Sequence, residues 1–273
     1  MYHFTHISER NIILISERFK NIVDNLGMNF KGGKVMNNYQ AVFKRKEIKY
    51  LLSEQQLANM MPVILSHMEL DDYAHSSISN LYYDTVDDYL IRRSLAKPQY
   101  KEKLRLRSYG TPQETSEVYC EIKKKAQGVV YKRRVGMPYE EAINYLSGKK
   151  SESNNQIVKE IDWMLTSYEH LIPKVFLSYE RDSWKGKEDP SLRITLDCNI
   201  LWRTNCLDLQ QGAWGKALLA ENQVLMEVKI TNAQPVWLAN ALSENGVFPI
   251  SFSKYGSVYK TLLNNQVKEN GYV

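Results

Sequence analysis

YKEKLRLRSYG (residues 100–110), SEVYCEIKKK (116–125) and VVYKRRVGM (129–137) follow one another with only short gaps between them. In the first, Lys101, Lys103, Arg105 and Arg107 alternate with Glu102, Leu104 and Leu106. In the second, Tyr119, Glu121, Lys123 and Lys125 alternate with Val118, Cys120 and Ile122. In the third, Lys132 and Arg134 alternate with Tyr131, Arg133 and Val135. A period of two is the strand pattern, one face toward a core and the other away from it. Turn residues at Gly110-Thr111-Pro112 and Gln127-Gly128 make these three consecutive antiparallel strands.

The polar faces of these strands are unusual. Residues 97–134 hold eleven Lys/Arg against four Glu, while the whole chain of 273 residues carries a formal charge of only +5. The rest of the chain is slightly acidic. Like charges opposite one another on neighbouring strands destabilise a sheet. A face that stacks Lys103, Arg105, Arg107, Lys123, Lys125, Lys132 and Arg134 therefore makes sense when a polyanion neutralises it, and arginine suits phosphate because its planar fork bonds two oxygens at once. The alternative is a solvated basic face.

Outward from this region the pattern repeats. Residues 41–52 read as a strand with Phe43, Arg45, Glu47 and Lys49 on one face. A helix follows to about residue 70, with Ser53 as N-cap and Gln56 three residues on. ISNLYYDT, KVFLSYERDSW, SLRITLD, NILWR and QVLMEVKIT read as strands. Helices are expected over DDYLIRRSL, PYEEAINYLSG, residues 154–168, PVWLANALSENG and from about Ser253. Eight or nine mostly antiparallel strands with five or six helices give an α+β fold. The arrangement that accounts for the polar faces is an eight-stranded-type antiparallel β-barrel tunnel, polar inside, with helices packed on the outside. The alternative is an open sandwich with one wet face.

Composition excludes several classes. Charged residues are 25% and hydrophobic residues 43%, a globular balance. Three cysteines without CxxC spacing suggest neither a disulfide framework nor a zinc site, and a cytoplasmic setting is expected. No apolar run approaches the roughly 20 residues that span a bilayer, and residues 1–20 do not read as a secretory signal. No P-loop, GxGxxG, HExxH or GxSxG motif occurs, and the five histidines are scattered. An enzyme built this way works by positioning and electrostatics, as phosphoryl transfer does. Nucleic acid is not the expected partner, because the strands lack exposed aromatic platforms for stacking bases.

Arg45-Lys46-Glu47-Ile48-Lys49 resembles the ExExK motif of CYTH domains, the triphosphate tunnel metalloenzymes, with Arg45 in place of the first glutamate. KLRLRSYG, YCEIKKK, YKRRV, SYERDSW, LRITLD, LMEVKI and FSKYG, in that order, resemble the VTC domain, the polyphosphate-polymerase branch. The resemblance spans residues 42–259 and implies an antiparallel tunnel that holds a phosphate chain and a divalent metal. It implies transfer of the ATP γ-phosphate onto a growing polyphosphate. Arg45 at the first motif position favours the polymerase branch over two-metal triphosphatases.

By motif position, Lys49, Arg105, Arg107, Lys123, Lys132, Arg181, Arg193 and Lys254 would contact phosphates. Tyr179 and Ser253 would donate hydrogen bonds, and Arg45, Lys103, Arg134 and Lys229 would add to substrate binding. Glu227 would hold Mn²⁺ or Mg²⁺, hard ions that want carboxylate and phosphate oxygens. Glu47 and Glu121 are weaker metal candidates, read as orienting neighbouring cations. Lys124 and Arg133 fall on the opposite strand faces.

The expected organisation is an N-terminal extension (1–40), a tunnel domain (41–265) and a tail (266–273). Lys31-Gly32-Gly33 can be encoded as a purine-rich ribosome-binding sequence, which would place the natural start at Met36; the other reading is a helix over residues 8–26. The expected ligands are ATP with polyphosphate or triphosphate, without direct membrane insertion, any membrane partner being a separate chain. The alternative functions are a metal-dependent triphosphatase and a non-catalytic polyphosphate or nucleotide sensor.

Overall fold

The computed structural model describes residues 46–270 except 128, 152, 169 and 232, and for 266–270 the backbone alone. Arg45, Met36, the helix expected over residues 8–26 and the side chains of the expected tail lie outside the described residues.

Among the described residues ten strands form one antiparallel sheet: β1 (Lys46–Ser53), β2 (Met68–Asp84), β3 (Tyr100–Tyr109), β4 (Glu117–Ala126), β5 (Val129–Pro138), β6 (Ile172–Gly186), β7 (Arg193–Arg203), β8 (Lys216–Ala217), β9 (Gln223–Ile230) and β10 (Pro249–Ile250). Their order is β10-β1-β9-β7-β6-β2-β3-β4-β5, with β8 beside β7. The right-handed twist of successive strands curls so long a sheet on itself. The ladder does not close, since β5 and β10 are its two ends. Side chains bridge the gap instead: Lys123 on β4 stands 3.3 Å from Glu47 on β1. A tunnel-like fold is present, with this side-chain pair between the penultimate strands and no hydrogen-bond ladder between the two ends among the described residues.

The convex side holds the larger core. Leu104 and Leu106 of β3 and Val118, Cys120 and Ile122 of β4 are the residues that alternate with the cations, and all are buried. They pack against α3 (Tyr139–Leu146) and α4 (Gln156–Ser167) through Ala142, Tyr145, Leu146, Val158, Ile161 and Met164. Truncating a fully buried leucine such as Leu106 to alanine costs about 2–5 kcal/mol. On the β1–β9 side lie α1 (Glu54–His67) and α5 (Val236–Glu244).

Local signals place the helix ends. The capping box of Ser53 and Gln56 starts α1. Gly148 (φ +104°) and Gly246 (φ +60°) follow α3 and α5 in the left-handed region that glycine reaches without strain. The short helix α2 (Tyr89–Leu95) takes its place from Asp84, whose carboxylate accepts from the backbone N–H groups of Leu90 and Ile91 at 2.8 and 2.9 Å.

Two expectations are corrected. SLRITLD and NILWR are one strand, β7, interrupted by a bulge: Ser178 pairs with Leu201 and Glu180 with Cys198, and the extra residue region contains Asn199 at φ +49°. The bulge shifts the side-chain alternation without ending the strand. The last helix, α6 (Lys254–Asn270), does not pack outside. Its Tyr255 and Val258 share a core with Ile78, Tyr82, Leu177, Tyr179, Trp202 and Leu225. Tyr82 and Tyr179 are touched by the cations of the polar face. The concave face is therefore part apolar, occupied by α6, and part charged.

Candidate functional site

Strand register puts the expected cations on one concave face. Arg105 lies opposite Tyr82 and Glu121, Arg107 opposite Asn80 and Tyr119, and Lys103 opposite Lys123. Lys123 in turn faces Lys132, and Glu121 faces Arg134. On the other side Arg181 faces Asp197, Glu227 faces both Lys49 and Thr195, and Lys229 faces both Glu47 and Arg193.

One wall is built around Glu121, which is buried. Arg105 donates to its Oε2 from Nε at 2.7 Å, with Nη2 at 2.6 Å, and Lys132 Nζ stands 3.0 Å from Oε1. Burial raises the carboxyl's pKa, but Arg105, Arg107 and Lys132 outweigh burial and hold it well below the usual range. Arg107 donates to Asn80 Oδ1 at 2.9 Å and to the Tyr179 hydroxyl oxygen at 3.1 Å. That hydroxyl accepts there, so its own proton is available to a phosphate oxygen. Arg105 also donates to the Tyr82 hydroxyl at 3.1 Å. Burial pushes the Tyr82 phenol up, yet Arg105, Lys103 and Arg107 outweigh that and bring it down to about 8.

The other wall holds two carboxylates. Asp197, fully buried, accepts from Arg181 Nε and Nη2 at 2.6 and 2.7 Å and pairs with Lys254. Glu227 has four cations around it at longer range: Lys49 at 3.3 Å, Lys254 at 3.6 Å, Arg181 at 3.9 Å and Lys229 at 4.0 Å. Burial opposes ionisation of Glu227, but these cations hold its pKa well below normal. Burial also pushes Lys229 down to about 8. Beside Glu227 the Thr195 hydroxyl is buried without a partner. The Tyr179 ring joins the two walls, with Lys254 Nζ 4.4 Å from its centroid and Arg181 at 5.1 Å.

The remaining expected residues take distinct places. Lys49 donates to the Phe252 carbonyl at 3.0 Å and Lys103 to Ser253 Oγ at 3.1 Å. Ser253 Oγ also accepts from the Gly256 N–H at 3.2 Å, capping α6 and so fixing Lys254 in the bore. Burial among Lys123, Lys101 and Lys49 pushes Lys103 down to about 8, despite an opposing pull from Tyr82. Lys123 and Glu47 pair with each other and are partly exposed. Arg193 lies nearer solvent, 2.8 Å from Asp71. Arg134 lies over the Tyr119 ring at 4.6 Å. Lys124 and Arg133 both pair with Glu160 of α4, outside the bore.

A divalent ion was tested against the donors present. Among the described residues no group of three or more His, Cys, Asp or Glu side chains could hold a metal. Both oxygens of Asp197 and Oε2 of Glu121 already accept close hydrogen bonds, while Glu121 Oε1 has only the Lys132 ammonium, at 3.0 Å. Glu227 accepts none from its neighbours, the nearest of which is 3.3 Å away, so its oxygens are open to an ion that shares ligands with a substrate. That suits Mg²⁺ or Mn²⁺, which keep waters and lean on substrate phosphates, and not a cage ion.

Sequence reasoning gave no site role to Asp197, Asn80, Tyr82, Tyr109 or Asp71. Asp197 was legible on a polar face, two residues from Thr195; its partners come from other strands and from α6. The expectation that exposed aromatics are lacking is corrected. Tyr109 and Tyr119 meet edge to face at 5.9 Å on the concave face, and Tyr109 is 49% exposed.

A curled antiparallel sheet with cations and carboxylates converging on its concave face is a CYTH-type tunnel. An adenylate cyclase candidate of Bacillus halodurans shares the fold: 13% identical, covering 78% of this chain and 96% of that one, TM-score 0.52. A Hippeastrum adenylyl cyclase candidate with a dominant triphosphatase activity is 18% identical, covering 79% and 94%, TM-score 0.46. Within that class the chain belongs to the VTC domain family, whose model matches residues 44–263. Vacuolar transporter chaperone complex subunit 4 of Schizosaccharomyces pombe is 25% identical over 206 residues, 64% of this chain and 28% of that protein. Among the described residues no helix is long and apolar enough to cross a membrane.

Proposed function

We propose that the chain is a metal-dependent phosphotransferase that extends polyphosphate in its tunnel, using the γ-phosphate of ATP. The observation that carries this is the convergence of Arg105, Arg107, Lys132, Arg181, Lys49 and Lys254 from five elements onto one concave face, held there by Glu121, Asp197 and Glu227. Membership of the VTC domain family supports it.

Phosphoryl transfer passes through a loose transition state whose charge spreads over the equatorial oxygens, so positioning and fixed cations carry most of the catalysis. In this reading the two walls grip one phosphate chain from both sides. Arg105 and Arg107, oriented by Glu121 and Asn80, hold one stretch. Arg181 and Lys254, oriented by Asp197, hold the next. Tyr179, whose hydroxyl already accepts from Arg107, donates to the oxygen between them. Lys49, Lys103 and Lys123 line the way toward Glu47, along which an acceptor chain would lie with its terminal oxygen as nucleophile. Glu227 would hold Mn²⁺ or Mg²⁺, which when bound neutralises charge on the transferring phosphoryl. Glu121 and Glu47 act here as partners of cations.

Incubating purified protein with ATP and Mn²⁺ tests the reading. Long polyphosphate is the expected product. Orthophosphate alone would make water the nucleophile and the protein a triphosphatase, and binding without turnover would make it a sensor. A bulk cytoplasmic location and a separate membrane partner belong to the same proposal.

A further inference from the structure

We propose that Tyr109, Tyr119 and Arg134 form a ledge at one end of the bore that docks the base of a nucleoside triphosphate. This rests on the reading of the bore as a triphosphate site. Along β3 the concave face runs Lys103, Arg105, Arg107 and then Tyr109. Along β4 it runs Lys123, Glu121 and then Tyr119, which lies directly opposite Arg107. A same-face step along a strand is about 7 Å. Tyr109 therefore stands one step beyond Arg107 and Tyr119 beside that arginine, about where a ribose would carry a base.

The ledge is built and held. The Tyr119 hydroxyl donates to Glu117 Oε2 at 2.6 Å, which fixes the ring. The Arg134 guanidinium lies 4.6 Å from the Tyr119 centroid, and Tyr109 meets that ring at 81°. Gly136 sits opposite Tyr119; a Cβ there would come within 2.5 Å of Glu117 Oε1 and 3.3 Å of Tyr119 Cε1. A side chain at this position would push both away. To an inorganic phosphate chain a half-exposed tyrosine ending a strand face of cations offers one hydroxyl donor and leaves its ring unused. It offers a stacking surface to a base, and Arg134 can contribute cation–π contact.

The test compares ligands on the intact chain. Equilibrium titrations use the β,γ-imido analogue of ATP and inorganic tripolyphosphate at one salt concentration, for wild type, Tyr109→Ala and Tyr109→Phe. Tyr109 is half exposed, so its truncation spares the core. Wild type should bind the analogue more tightly than tripolyphosphate, the analogue-to-tripolyphosphate preference should shrink about five- to a hundredfold in Tyr109→Ala, and Tyr109→Phe should restore it. Equal affinity of wild type for both ligands, or a preference untouched by Tyr109→Ala, overturns the ledge alone. Failure of both ligands to bind wild type overturns the bore as a triphosphate site, and the ledge with it.

Discussion

Glu121 and Glu227 sit on facing walls of one bore, with 1% and 7% of their side chains exposed, and each is ringed by cations. Their bonding differs. Glu121 takes Arg105 at 2.6–2.7 Å and Lys132 at 3.0 Å. Glu227 has four cations at 3.3–4.0 Å and accepts no close bond from any of them. The wall of Glu227 also contains Asp197, which does for Arg181 what Glu121 does for Arg105. Each wall thus has one carboxylate that fixes its arginine, and the second wall has one more. The carboxylate that orients and the carboxylate that can bind something else are separate residues.

The largest expected effects come from exchanging each kind for its amide. Asp197→Asn removes one partner of a fully buried network and leaves Arg181 and Lys254 uncompensated. Breaking such a pair costs about 3–5 kcal/mol, so thermal unfolding should shift down by many degrees and phosphate affinity should fall as Arg181 loses its aim. Glu227→Gln should leave a folded protein that binds tripolyphosphate at least as well as wild type, because a negative charge has left a cationic bore. Its kcat should fall about 10²–10³-fold, the size of losing one electrostatic catalytic group. Calorimetry and product assays on both variants decide it. If the two amides behave alike, the division of labour between these carboxylates is wrong.

The second expected effect is a pH dependence carried by Lys103, with Lys229 on the other wall lowered to a similar value. Burial pushes Lys103 down to about 8, with Lys123, Lys101 and Lys49 adding to it. A bound polyanion needs the charged lysine, so affinity should fall as pH rises through 8, by at most about tenfold per pH unit for one proton, and binding near pH 8 should take up a proton. The stability of the ligand-free protein runs the other way. Between about pH 8 and the ordinary lysine value of 10.5 the unfolded chain binds the extra proton, so this residue's contribution to stability rises with pH there. Titration calorimetry in buffers of different ionisation heat measures the uptake. Lys103→Arg, charged throughout, should reduce it by the share of Lys103 and leave that of Lys229 and the Tyr82 phenol, and an unchanged uptake would place the titrating group elsewhere.

What the sequence shows and what it hides follow from the range of each interaction. The three basic strands, the Ser53–Gln56 box and the glycines after α3 and α5 are local patterns, and each was legible in a dozen residues. The inward-facing cations follow from period two once one face is known to be apolar. Asp197 was legible as polar, but its role comes from Arg181 across a strand pair and Lys254 nearly sixty residues on, which no local pattern reports. The packing of α6 on the concave face was hidden for the same reason: Tyr82 and Tyr255 stack at 4.8 Å from opposite ends of the domain. Tyr109 was overlooked because it stands beside the Gly110 turn, where alternation ends. β8 and β10, two residues each, are too short to have a period.

The smallest expected effect concerns Arg193, the most exposed of the four arginines expected to contact phosphate. Its Nη1 is 2.8 Å from Asp71, which belongs to the irregular stretch of β2 between Leu70 and His75 where pairing with β6 slips. Unlike Glu121 and Asp197, which hold their arginines from within the bore, Asp71 competes with any phosphate for Arg193. The arginine is 40% exposed, so the pair is screened and contributes at most about 1 kcal/mol. Asp71→Asn should therefore lower the KM for the phosphate substrate about two- to fivefold, with kcat and the unfolding temperature nearly unchanged, and the gain should shrink in high salt. A raised KM would mean that Asp71 aims Arg193 at the substrate, as Asp197 aims Arg181, and the outer arginine would then belong with the inner ones.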